Sequence, residues 1–106
     1  MNIGVIIYSG DSETVWNAFR FANFALKKGD QVKLFLIGKG VESDSFDKEM
    51  FNITEQLKLF VDGGGKIFAC GTCLRIHQYQ PPEFYVVATL DDLYEMAKGS
   101  DKLVTF

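Results

Sequence analysis

Histidine appears once in this chain, and cysteine and proline only twice each. A closed structural zinc site needs four ligands. One Cys-x-x-Cys and the single His77 fall short of that, so no metal and no cofactor is expected. Basic residues are also few. Eleven Lys and Arg against fourteen Asp and Glu leave a net charge of −3, with no long run of Lys or Arg. That excludes the electrostatic footprint of a nucleic-acid or anionic-membrane binder. No apolar stretch approaches the ~20 residues that cross a bilayer. Residues 1–8 carry no basic flank and run into Ser9, Gly10 and Asp11, which reads as a first strand and not a signal peptide. Scarce cysteine without an export signal points to a reducing compartment. A cytoplasmic location is expected, with thiols that are reactive, metal-bound or simply buried.

What the chain does hold is enough for one core. Its 106 residues suit a single domain over 1–106, and 47% hydrophobic with 24% charged residues is ordinary for a globular protein. Ten Phe exceed ordinary need, and a partner surface is expected for some of them. Apolar, β-branched runs alternate with amphipathic stretches. Strands are predicted over 3–8, 31–37, 66–69, 83–88 and 102–106. A helix is predicted over 13–28, capped by Asp11 or Ser12, with Val15, Ala18, Phe19, Ala22, Ala25 and Leu26 on one face. Residues 41–50 are polar and acidic and read as a mobile loop. Ile53, Leu57, Phe60 and Val61 mark a second helix, which Gly63-Gly64-Gly65 stops. A short helix is predicted over 71–78, ending before Pro81-Pro82. Thr89 caps a last helix bearing Leu90, Leu93, Tyr94 and Ala97. Alternating strands and helices imply a parallel sheet covered on both faces. The strand order does not follow from the pattern.

Chemistry in α/β sheets gathers beyond the carboxyl ends of the strands. The turn Cys70-Gly71-Thr72-Cys73 lies at such an end, where a helix start favours a thiolate on Cys70. Gly71 allows close approach to that sulfur. Arg75 and His77 follow within one or two turns and would add positive potential. Cys73, further into the helix, is the candidate resolving thiol. The alternatives are two buried, inert cysteines, a thioredoxin-like dithiol and a zinc site shared between subunits. The Ser9-Gly10-Asp11-Ser12 turn falls on the same sheet edge. Gly10 and Asp11 are candidate pocket residues with Gly71, Thr72, Arg75 and His77, although capping is the plainer role for Asp11. This turn lacks the Gly-Lys-Ser/Thr ending of a phosphate loop. On the first helix Phe24 points nearly opposite the core stripe, with Phe21 beside it, so that face is expected to bury against another subunit.

Five blocks together resemble the DsrE/DsrF-like (YchN-like) family. They are Tyr8-Ser9-Gly10-Asp11-Ser12-Glu13, the Ala-rich first helix ending in Lys-Lys-Gly, the Val32–Ile37 strand leading into Gly38-Lys39-Gly40-Val41, Ala69-Cys70-Gly71-Thr72-Cys73-Leu74, and the closing segments from Ala88 to Tyr94 and from Asp101 to Phe106. The resemblance spans essentially the whole chain. It implies a three-layer α/β/α domain with a five-stranded, mainly parallel sheet, and homo-oligomers that are usually trimers or hexamers. It also implies that sulfur is carried as a persulfide on the cysteine after the third strand, here Cys70. Relatives commonly have an Arg-Gly pair shortly after this motif, where this chain reads Arg75-Ile76-His77-Gln78. The resulting expectation is a sulfur-relay protein, a sulfurtransferase or carrier, with donor and acceptor proteins as partners. The rivals are a dithiol oxidoreductase using Cys70 and Cys73, and a non-catalytic oligomeric binding module.

Overall fold

In the computed structural model, which describes residues 1–106, the five apolar runs become β1 (Asn2–Ile7), β2 (Gln31–Leu36), β3 (Lys66–Cys70), β4 (Tyr85–Ala88) and β5 (Lys102–Thr105). The helices are α1 (Ser12–Lys27), α2 (Ile53–Asp62), α3 (Gly71–Ile76) and α4 (Leu90–Gly99). Short polar side chains set the helix starts. Asp11 accepts from the Thr14 amide, Asn52 from the Glu55 amide, and Thr89 and Asp92 form a reciprocal capping box.

The sheet runs β4-β3-β2-β1-β5 and every pairing is parallel. The first three crossovers step one way along the sheet and the last jumps back past β1. Right-handed connections then put α1, α2 and α3 on one face and α4 on the other. Register agrees with this. A Cβ on Gly4 would meet Leu103, Ser100 and Met96, so α4 lies over the face that carries Gly4 and Ile6. The opposite face supplies Val5, Ile7, Leu34, Leu36, Ile67 and Ala69, all essentially inaccessible. Val15, Ala18, Phe19 and Ala22 of α1 and Leu57 and Phe60 of α2 join them in one core. Phe19 meets Phe60 edge-on at 6.3 Å. The architecture is therefore an α/β/α sandwich with unequal layers. The α4 face is thinly covered, and Val86 and Leu103 on it are exposed.

The sequence reading is corrected in three places. Residues 41–50 are not a mobile loop. Gly38–Ser45 form a 3-10 helix in which Val41 and Ser43 are fully buried, and Lys48 and Phe51 then make an antiparallel bridge. The fourth strand starts at Tyr85 and not at 83, because Glu83 and Phe84 turn the chain after Pro81-Pro82. The short helix stops at Ile76, and Gln78 swings to a φ of +51° on the way to that turn. No helix is long and apolar enough to cross a membrane.

Candidate functional site

β3 delivers Cys70 to the carboxyl edge of the sheet as the residue that opens α3. The strand fixes its backbone beside Ala88 of β4 and leaves the side chain 7% exposed. Gly71 comes next and is buried against β4. A Cβ there would sit 3.2 Å from Val87 Cγ1, a tight fit that requires the valine side chain to shift slightly. One turn on, Cys73 is half-buried beside Cys70. Both cysteines are free thiols.

The 3-10 helix folds over this pair. Gly38, held at a φ of +59°, donates its N–H to Cys73 Sγ at 3.2 Å. A side chain would resist that left-handed conformation. Burial pushes the Cys73 thiol up, the Gly38 amide pulls it down, and the neighbouring Cys70 thiol raises it again. Further along, Glu42 Oε2 accepts from Lys39 Nζ at 3.2 Å and lies 3.0 Å from His77 Nδ1. Asp44 Oδ1 accepts from the Tyr79 hydroxyl at 2.8 Å and the Tyr85 hydroxyl at 3.2 Å. Burial first, and then Asp44, pushes Tyr79 up to about 12 and Tyr85 higher still.

The predicted residues divide accordingly. Cys70, Gly71 and Cys73 come together. His77 reaches the same locality through Glu42. Thr72 and Arg75 turn to each other at 3.3 Å on the exposed side of α3. Gly10 lies under the Lys39 stem, where a Cβ would fall 2.5 Å from Lys39 Cγ. Asp11 is spent on its own helix, accepting from the Thr14 amide and hydroxyl at 3.0 and 2.9 Å. Those bonds lower its pKa. Gly38, Glu42, Asp44, Tyr79 and Tyr85 were missed. Only Gly38 carried a signal, as a glycine directly after a strand. The others meet across 35 to 41 residues. No three His, Cys, Asp or Glu side chains are grouped to share a metal ion. A groove of about 620 Å³ lies elsewhere, on the outer side of α1 and α2, lined by Phe21, Phe24, Leu59 and Arg20.

This arrangement belongs to a recognisable group of proteins. The profile of the DsrE/DsrF-like family matches residues 1–106. The chain belongs to the DsrE/DsrF-like family. Two archaeal proteins are similar in sequence, both named only as uncharacterized. MK0008 of Methanopyrus kandleri is 33% identical over 100 residues, covering 89% of this chain and 83% of that protein. MJ0989 of Methanocaldococcus jannaschii is 32% identical, covering 89% and 88%. The crystal structure of the ychN protein from E. coli superposes with a TM-score of 0.85 over 100% of both chains, at 24% identity. MTH1491 from Methanobacterium thermoautotrophicum superposes at 0.76 with 12% identity, over 99% of this chain and 98% of that one. At these identities the two structures establish the DsrE/DsrF-like fold.

Proposed function

We propose that the protein is a sulfur relay in which Cys70 carries sulfane sulfur as a persulfide. The observation that carries this reading is the pair of free, adjacent thiols at the carboxyl edge of the sheet, in a family whose resemblance already pointed to Cys70. In loading, the Cys70 thiolate attacks the outer sulfur of a donor persulfide. The new S–S bond forms on Cys70, the donor's S–S bond breaks, and the donor leaves as a thiolate. In unloading, an acceptor thiolate attacks the outer sulfur of Cys70-S-SH and Cys70 leaves as thiolate. Without an acceptor, the Cys73 thiolate attacks Cys70 Sγ, a Cys70–Cys73 disulfide forms and HS⁻ departs. A partner dithiol then reduces that disulfide. At 7% exposure Cys70 takes sulfur from a donor that fits closely over Gly71 and Cys73.

The test is to treat the protein with a persulfide donor, trap with an alkylating agent and map the mass of one added sulfur atom. Label on Cys70 that survives Cys73→Ser and vanishes in Cys70→Ser supports the relay. A dithiol oxidoreductase would instead need both cysteines for turnover. Loading of Cys70→Ser equal to the parent, or no alkylation of either thiol in the folded protein, would leave the binding-module reading.

A further inference from the structure

The 3-10 helix Gly38–Ser45 is tied to the cysteine region at three points, and only the first touches sulfur. Gly38 donates to Cys73 Sγ at 3.2 Å, Glu42 holds His77 at 3.0 Å, and Asp44 gathers two tyrosine hydroxyls at 2.8 and 3.2 Å. Tyr79 follows α3 and Tyr85 opens β4, so one carboxylate oxygen fastens the segment to two other parts of the fold. Between these ties Val41 and Ser43 are fully buried, and the Ser43 hydroxyl donates to the Gly40 carbonyl at 2.5 Å. These ties hold the segment at its start, its middle and its end.

We infer that Asp44 is a positioning residue for the sulfur chemistry: by gathering the Tyr79 and Tyr85 hydroxyls it holds the 3-10 helix where the Gly38 amide faces Cys73 and stabilises its thiolate. The inference rests on the relay reading, in which that thiolate attacks Cys70. A hydrogen bond to sulfur strengthens as the sulfur ionises, so the amide favours the attacking form. Burial and the Cys70 thiol act against that form, and the amide opposes them. The other titratable or charged groups around Cys73 are Lys39 and Glu42 on the 3-10 helix, His77 and Arg75 after it on its own element, and Tyr79 and Tyr85 behind Asp44. The sign of the effect is diagnostic. Removing the negative charge of Asp44 would by itself favour the Cys73 thiolate, whereas losing the position of Gly38 disfavours it.

The experiment measures alkylation of Cys73 against pH in the Cys70→Ser protein, with variants Asp44→Ala, Asp44→Asn and Tyr79→Phe. The inflection is read in preference to the maximal rate, because opening the segment changes access but not ionisation. In Asp44→Ala the thiolate fraction at neutral pH falls about tenfold, equivalent to about 1.4 kcal/mol. In Asp44→Asn, whose amide oxygen still accepts both hydroxyls while the charge is gone, the inflection lies at the parent value or slightly below it. Tyr79→Phe removes one hydroxyl from a half-buried ring and gives an intermediate loss. An Asp44→Ala inflection at or below the parent's, or an Asp44→Asn inflection as displaced as Asp44→Ala, overturns the assignment. If Asp44→Ala does not fold, an unmoved inflection in Tyr79→Phe overturns it instead. The inflection is measured without bound sulfur, so failure of Cys70 to load would refute the relay while a moved inflection still upheld Asp44.

Discussion

Replacing Gly40 by alanine tests how tightly the 3-10 helix is seated on the sheet. A Cβ on Gly40 would fall well inside the Ile7 carbonyl oxygen, 2.9 Å from Ile7 C and 3.3 Å from Ile7 Cγ2. The obstacle is the backbone of β1, hydrogen-bonded on both sides within the sheet, so it cannot yield as a flexible side chain would. The 3-10 helix must lift instead, exposing Val41 and Ser43 and drawing Gly38 away from Cys73. Overpacking of this kind costs about 1–3 kcal/mol, which for a domain of this size lowers Tm by roughly 5–20 °C. Gly99→Ala is the matched control. Gly99 is the last residue of α4 and a Cβ there meets nothing within 4 Å, so the change should leave Tm level or raise it slightly. Thermal melts of the two variants decide the matter, with hydrogen exchange over 38–45 reporting where the loss occurs. If Gly40→Ala melts with Gly99→Ala, or if its exchange quickens everywhere except 38–45, the seating described here is wrong.

Four further outcomes are expected. Phe24 is 60% exposed, Leu59 53% and Phe21 37%, and light scattering should report a homo-oligomer well above 11.9 kDa that Phe24→Glu dissociates. Asp11 and Asp92 have pKa values lowered by their cap hydrogen bonds, so the stability they contribute is present above their ordinary 3.8 and is lost as pH falls through the lowered values. Asp11→Asn and Asp92→Asn should therefore flatten the acid limb of a pH–Tm curve. Tyr79 is raised, so its contribution is complete below its ordinary 10 and is lost as pH climbs towards about 12. Tyr79→Phe should shallow that alkaline limb. Protein purified without chelator should carry zinc or iron well below stoichiometry, and stoichiometric metal that disappears in Cys73→Ser would replace the relay with a subunit-shared metal site.

Much of the sheet was legible because each strand is a contiguous apolar run with a glycine or a cap beside it. Thr89 marked the start of α4 to the residue, and Asp11 or Ser12 marked that of α1 to within one, the structure choosing Asp11. Cys70 could be put at a strand end because 66–69 reads as a strand and Gly71-Thr72 cannot extend it far. What could not be read depends on distant partners. Gly38–Ser45 has a polar sequence with one large apolar residue, Val41, and its order comes from Ile7, Cys73, Tyr79 and Tyr85. Ser12 looked like a cap, yet it is buried and donates to the Phe46 carbonyl at 2.7 Å, which also ties down the segment after the 3-10 helix. The crevice where strand order reverses lies beside β1, two strands from β3, so topology alone would not have led to the cysteines.

The all-parallel sheet has a kinetic consequence. With no hairpin in the sheet, each strand meets a neighbour only by closing a loop that contains a helix. Contacts along the β1–β2 seam join residues 29 apart, and along the β1–β5 seam residues 99 apart. Closing the longer loop costs about 1 kcal/mol more in chain entropy, before any packing offsets it. A sheet assembled only from distant partners has a high contact order and folds slowly for its size. The seam with the longer loop, β1–β5, is expected to close after β1–β2, so one edge of β1 pairs late. The residues left waiting would be Ile3 to Ile6, the strand that later lies between β2 and β5.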